Sequence, residues 1–284
     1  MQVSVGPSGV WGVNGAHQIY YRTGTYGDAD TDGTGWQLVS GDLIWVSSGD
    51  GYVVGVNSAN HIYQRVGISA DNPTGDEWKQ ISGGLKQIDV NNYNLWGVNK
   101  NDAIYWKQVG NPSLTSSNWV QIPGGLKNVE SGQFGIWGVN KNNNIYYMNH
   151  NNNWVQTSGS LKQISVGKDE VWGVNKHDNI YKATKKSSSP DWKQISGALI
   201  QVSVSDRNHV WGVNKANEIY RRTENSWKNI GGNYRFLFNF FYNVTTKDGL
   251  WGLRSMWTCP YKLYAYPIYS IPIPFVSSPI PAVH

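Results

Sequence analysis

The chain has 284 residues, a formal net charge of +5, 15% charged residues, 15 Trp, 17 Tyr and one Cys. That length suits one repeat-built domain plus a tail; a single Cys excludes an internal disulfide framework, and no apolar run approaches the ~20 residues of a membrane-spanning helix. The positive balance favours anionic partners, but Lys and Arg fall singly in turns rather than in a patch, so nucleic acid is not an expected partner.

In chain order, Met1-Gln-Val-Ser-Val-Gly6 alternates apolar and polar residues as a half-buried strand does. Trp11-Gly-Val-Asn14 and Ile19-Tyr-Tyr-Arg22 read as two further short strands joined by a tight turn. The loop after them, Gly27-Asp-Ala-Asp-Thr-Asp-Gly33, has the D-x-D-x-D-G spacing that places oxygens around a hard cation. Asp28, Asp30 and Asp32 are therefore candidate calcium ligands. Gln37 and Val39 stand near where an EF-hand loop needs its bidentate Glu, so a plain polar connector is the competing reading. Trp36 opens a fourth stretch.

This phrase then recurs. Gly-Val-Asn triplets begin at Gly12, Gly55, Gly97, Gly138, Gly173 and Gly212, at intervals of 43, 42, 41, 35 and 39 residues. Ile-Tyr follows each triplet, and a later Trp follows each Ile-Tyr: Trp36, Trp78, Trp119, Trp154, Trp192 and Trp227. Val54 stands where the other repeats carry Trp11, Trp96, Trp137, Trp172 and Trp211. Alternation without a sustained 3.6-residue period predicts four short antiparallel strands per ~40-residue unit, the period of a propeller blade. One such sheet cannot bury both its faces, whereas a ring of them can. The opening strand lacks its lead-in, and Trp227-Lys-Asn-Ile-Gly-Gly232 is that lead-in without its strand. The expectation is an all-β chain: a six-bladed β-propeller of four-stranded antiparallel blades over 1–232, then an irregular tail over 233–284.

In the tail Pro260, Pro267, Pro272, Pro274, Pro279 and Pro281 exclude interior strands. Val244–Leu253 reads as a repeat that begins, with Trp251-Gly252, and breaks off. Asn243-Val-Thr is a glycosylation sequon, meaningful only for a secreted chain. The opening residues lack the basic start and apolar core of a signal peptide. That and the missing disulfides favour a cytoplasmic location.

Six copies of VWGVNxxxxIYxR…W…I.G.L in phase resemble the tectonin repeat family, which includes the fish egg lectins. IYYRTG (19–24) and IYQRVGISADNPTGDEW (62–78) look closest to its animal members. The resemblance covers about 1–232. It implies a six-bladed propeller that binds microbial or egg-surface glycans, lipopolysaccharide among them, outside the cell and without catalysis. The single Cys departs from the several cysteines of the fish egg lectins. An intracellular protein-interaction propeller is the alternative.

Candidate sugar ligands follow from the repeat. The later Trp rings, Trp36, Trp78, Trp119, Trp154, Trp192 and Trp227, could stack on a pyranose, whereas the WGVN Trp reads as core between blades. The Gly-Val-Asn amides, Asn14, Asn57, Asn99, Asn140, Asn175 and Asn214, offer paired donor and acceptor atoms, though turn formation alone would explain them. Arg22, Arg65 and Arg221, with Lys107, Lys182 and Arg222, could meet a phosphate or carboxylate. Repetition predicts several similar, shallow sites acting together. The six His are widely spaced, four of them in or near turn positions, rather than a metal set, and no nucleophile or phosphate-loop motif is present.

Overall fold

The computed structural model describes residues 1–91, 94–109, 118–205 and 209–231. The chain divides into two units, 1–235 and 236–284, and all described residues lie in the first. The partial repeat at 244–253, the sequon and Cys259 lie outside the described residues.

Six four-stranded antiparallel sheets follow one another along the chain. Blade one is β1 (Gln2–Gly6), β2 (Gly9–Val13), β3 (Ile19–Thr23) and β4 (Gly35–Val39). Blade two is β5 (Trp45–Ser48), β6 (Val53–Val56), β7 (His61–Val66) and β8 (Glu77–Gly84), and blade three is β9 (Gln87–Asn91), β10 (Asn94–Val98), β11 (Ala103–Gln108) and β12 (Val120–Gly125). Blade four is β13 (Asn128–Gly132), β14 (Gly135–Val139), β15 (Asn144–Met148) and β16 (Trp154–Ser160). Blade five is β17 (Gln163–Val166), β18 (Val171–Val174), β19 (Asn179–Ala183) and β20 (Lys193–Ala198), and blade six is β21 (Gln201–Val204), β22 (Val210–Val213), β23 (Ile219–Arg222) and β24 (Trp227–Asn229). The first strand of each blade packs on the first strands of both neighbours, and β21 on β1 closes the ring. The expected propeller is thus observed, and every blade is one continuous segment of chain.

The turn between the second and third strand is where the sequence speaks most directly. His17, Asn60, Asp102, Asn143, Asp178 and Asn217 all adopt left-handed φ of 63–67°, a conformation that Asn, Asp and His tolerate better than branched residues. The preceding Asn holds the turn. Asn99 Oδ1 accepts from the Asn101 and Ala103 amides at 2.9 and 3.0 Å; Asn14, Asn57, Asn140 and Asn175 accept in the same way, and Asn214 accepts from the Glu218 amide.

Blades are joined by side chains that imitate backbone. The Gln201 amide donates to Val3 O at 2.9 Å and accepts from Val3 N at 3.1 Å, like one more residue of a strand ladder. Gln2 does the same to Val46, Gln87 to Val129, and Gln163 to Val202. The WGVN Trp fills the space between a blade and the next, with Trp11, Trp137 and Trp211 fully buried. The core role expected for it is observed.

Candidate functional site

The antiparallel order sends each first hairpin tip and each loop between third and fourth strands to one face of the ring. The Asn turns lie on the other. On the first face the floor of every groove between blades is the WGVN position, and the loop of the following blade decides whether the groove is covered. Between blades six and one, the 24–34 loop lies over Trp211, whose Nε1 donates to Ala29 O at 3.1 Å. Between blades one and two, Ile68 of the 67–76 loop packs into the cluster around Trp11. Between blades four and five, Phe134 stacks on Trp137 at 6.0 Å, and Lys186 of the 184–192 loop reaches the Tyr147 ring at 5.6 Å. Between blades two and three, Val54 packs with Tyr52, Leu95 and Val109.

The remaining two grooves follow from short loops, 149–153 in blade four and 223–226 in blade six. The groove between blades three and four has a volume of about 690 Å³. Trp96, Trp106, Ile122, Ile136 and Met148 line it, with Asn91, Asn94 and Asn152 at its edge and no charged residue. Asn94 Oδ1 fixes the Trp106 indole at 3.1 Å. The groove between blades five and six is about 430 Å³ and charged. Lys182 lies over Trp172 at 5.4 Å and pairs with Glu170 at 3.0 Å, while Glu170 also accepts from Trp172 Nε1 at 2.6 Å. Arg222 lies over Trp227 at 5.3 Å, and the Trp172 and Trp227 rings meet edge to face at 6.3 Å. Both volumes fall in the range of small-ligand sites.

Each candidate residue can now be placed. Trp78, Trp119, Trp154, Trp192 and Trp227 are half-buried, and each donates its indole N–H to a carbonyl of the preceding blade: Ser40, Ser82, Pro123, Ser158 and Ser196, at 2.7–3.1 Å. They hook one blade to the next. The Gly of each "IxG" phrase leaves room for that ring; a Cβ on Gly83, at φ 118°, would stand 2.7 Å from Trp119 Nε1. Trp36 lies under Arg22 at 5.3 Å. Asn14, Asn57, Asn99, Asn140, Asn175 and Asn214 use their carboxamide oxygens within their own turns, on the face away from the grooves. Arg22 and Arg65 are buried, 8% and 5% exposed, and hold their own loops: Arg22 Nε donates to Asp32 O at 2.7 Å, Arg65 Nε to Thr74 O at 2.6 Å. Neither reaches the surface, so the role as an anion contact is replaced by a structural one. Arg221 pairs with Asp30 at 2.9 Å and Asp32 at 2.8 Å.

Those last pairs give two carboxylates of the calcium candidate cationic partners instead. Asp32 gives one oxygen to Arg221 and the other to Lys228, and Asp28 Oδ1 accepts from the Asp30 amide. Asp28, Asp30 and Asp32 do not converge on a common point, and no group of three metal-ligating side chains occurs among the described residues. Because Lys228, then Arg221, hydrogen-bond Asp32, its carboxyl is held below the usual range. The loop is a clasp between the first and last blades.

Sequence reasoning also missed the axial channel. Ser4, Ser47, Asp89, Glu130, Ser165 and Ser203 occupy one position of the six inner strands and face it. Burial raises both carboxyls, Glu130 well above the ordinary value, with Asp89 adding to the effect. The signal was present as Asp and Glu at the one alternation position that is Ser in the other four repeats.

A family model described as "Tectonin domain" matches residues 1–86, 76–149 and 132–253. The Perivitellin-2 31 kDa subunit of Pomacea maculata is 61% identical over 36 residues, 13% of this chain and 13% of that protein. Among solved structures, human WBSCR16 matches with TM-score 0.54 at 9% identity, covering 82% of this chain and 81% of that one. Prp20p from Saccharomyces cerevisiae matches with TM-score 0.53 at 9% identity, covering 81% and 76%. These structural likenesses concern the fold alone. No helix in the described residues is long and apolar enough to cross a membrane.

Proposed function

Since the chain belongs to the tectonin domain family, we propose that it is a carbohydrate-binding lectin that recognises microbial or egg-surface glycans, lipopolysaccharide among them, outside the cell and without catalysis. The observation that carries this reading is the pair of uncovered grooves with aromatic floors and polar edges. A sugar presents an apolar face to an indole and hydroxyls to the rim. Trp96 and Trp106 serve the groove between blades three and four, and Trp172, with Trp227 edge to face against it, the charged one. Working sites then number two, not one per repeat, and rigid linkage of two weak sites raises avidity by ~10²–10⁴ on a multivalent surface. The surplus of positive charge adds attraction to acidic glycans, which salt weakens.

A glycan array probed with the full chain, followed by titration of the retained sugar, tests this. The expected result is retention of polyvalent glycans, two weak sites per chain, and weaker capture of lipopolysaccharide at high salt. An array on which no glycan is retained would sink the reading and favour a propeller that docks proteins.

A further inference from the structure

The two open grooves differ most sharply at one position of the repeat, the third residue after the conserved Ile. It is Arg22, Arg65, Lys107, Met148, Ala183 and Arg222 in blades one to six. In blades one and two this Arg donates to its own long loop, Arg22 to Asp32 O and Gly33 O, Arg65 to Thr74 O and Gly75 O, although Arg65 Nη1 is left without a partner. Blade six keeps the Arg but has shortened the loop to 223–226, and no such loop carbonyl reaches Arg222 among the described residues. Arg222 Nη1 is buried without a hydrogen-bond partner. Burial without a counter-charge also holds the guanidinium below the usual arginine range. The other cations beside it are committed, Lys182 to Glu170 and Arg221 to Asp30 and Asp32. Among the described residues of this groove, Arg222 is therefore the Lys or Arg side chain that makes no ion pair. The groove between blades three and four has Met148 at the same position and no charge at all.

We infer that the groove between blades five and six is an acidic-sugar subsite, in which Arg222 receives one carboxylate or phosphate, and that the groove between blades three and four takes uncharged sugar. The inference rests on the lectin reading above. A ligand anion would supply the acceptor Arg222 lacks, in a charge-assisted bond stronger than a neutral one, and the Trp227 ring beneath it holds the planar guanidinium in place. His209 and Thr223 stand at the same groove for the ring hydroxyls.

The test is a titration of the full chain with glucose, glucuronate and glucose 6-phosphate, followed by the indole resonances of Trp172 and Trp227. An anionic sugar is expected to shift these signals with roughly tenfold tighter binding than glucose, and the better of the two anions names the group. Arg222→Met should remove that preference and keep glucose binding, Arg222→Lys should keep part of it, and Met148→Arg should add a second anionic site. Melting temperatures of the variants show whether each is folded. Equal binding of all three sugars by the native chain, or a preference unchanged in Arg222→Met, overturns the inference while leaving the lectin reading intact. If no sugar shifts any indole signal, both fall together.

Discussion

Asp89 and Glu130 face the axial channel from adjacent blades, and neither has an ion-pair partner among the described residues. Glu130 Oε1 accepts from Asn128 at 3.1 Å and Gln87 at 3.2 Å; Asp89 accepts from Ser47 and from the Ser131 amide and hydroxyl. Both carboxyls are raised by burial, so the folded state binds protons more tightly than the unfolded chain does. Their contribution to stability is then fully present below the unfolded value of about 4 and is lost as pH rises through the folded value. Glu130→Gln keeps an acceptor for Asn128 and Gln87 and removes the charge. It should raise the melting temperature at pH 8 and change it little at pH 5; an unchanged difference between the two pH values would refute the role. At this scale the sequence was only partly legible. The Asn of each triplet was legible as a turn residue because the turn is local. That Arg22 and Arg65 are interior was not, because their partners are carbonyls ten residues away whose approach depends on how a long loop folds back.

Strands and turns were legible because alternation and turn chemistry are short-range. The loops between third and fourth strands carry the functional difference, and no periodicity describes them. Their lengths were nonetheless in the sequence: the shortest spacings from Ile-Tyr to the closing Trp fall in blades four and six. The two blades with short loops are those whose grooves are open, since a covering side chain such as Ile68, or a backbone carbonyl such as Ala29 O, needs a loop long enough to reach the preceding blade. Replacing 223–226 with the longer 184–191 segment should close the groove between blades five and six. Sugar stoichiometry is expected to fall from two to one, with the fold unchanged by circular dichroism; two sites after the exchange would show that loop length does not control access. The WGVN Trp tests the element differently. Trp211→Ala empties a fully buried site and should cost about 3–5 kcal/mol, read as a shift in denaturant midpoint. A loss under about 1 kcal/mol would mean that the ring is not held by this packing.

Ring closure is a property of the whole molecule. Many rings could close by sharing strands between the two ends of the chain; here blade one is built wholly from 2–39 and blade six wholly from 201–229. Among the described residues no backbone ladder crosses their junction. What crosses it is the Gln201 amide on Val3, Ser203 Oγ accepting from Val5 N at 3.0 Å, Trp211 on Ala29, and the ion pairs of Asp30 and Asp32 with Arg221 and Lys228. A chain ending at Gly232 contains all of these, so we expect it to melt within a few degrees of the full chain and to bind the same glycans. Insolubility of that shorter chain would mean that later residues supply part of the junction.

The clasp gives the junction a salt and acid dependence of its own. Asp32 is depressed chiefly by Lys228, then by Arg221, so its contribution is present above the unfolded value near 4 and disappears as pH falls through the lower folded one. This is opposite in sign to Glu130. Lys228 and Asp30 are well exposed, and water screens both pairs, so the whole clasp should contribute on the order of 1 kcal/mol. For a ring of this size that is roughly 2–4 °C in melting temperature. Asp32→Asn should lower the melting temperature by that amount at pH 7 and low salt. The difference from the native chain should shrink at high salt and disappear as pH falls through the lowered value of Asp32 in the native chain. Arg221→Gln combined with Asp32→Asn should cost less than the sum of the two single changes, because the Arg221–Asp32 pair is counted in both while Arg221–Asp30 and Lys228–Asp32 are each lost once. The same loop was the calcium candidate, and the two roles separate cleanly: for a clasp, chelator and added calcium leave the melting temperature of the native chain unchanged. A rise with calcium that Asp32→Asn abolishes would overturn the clasp and restore the metal site.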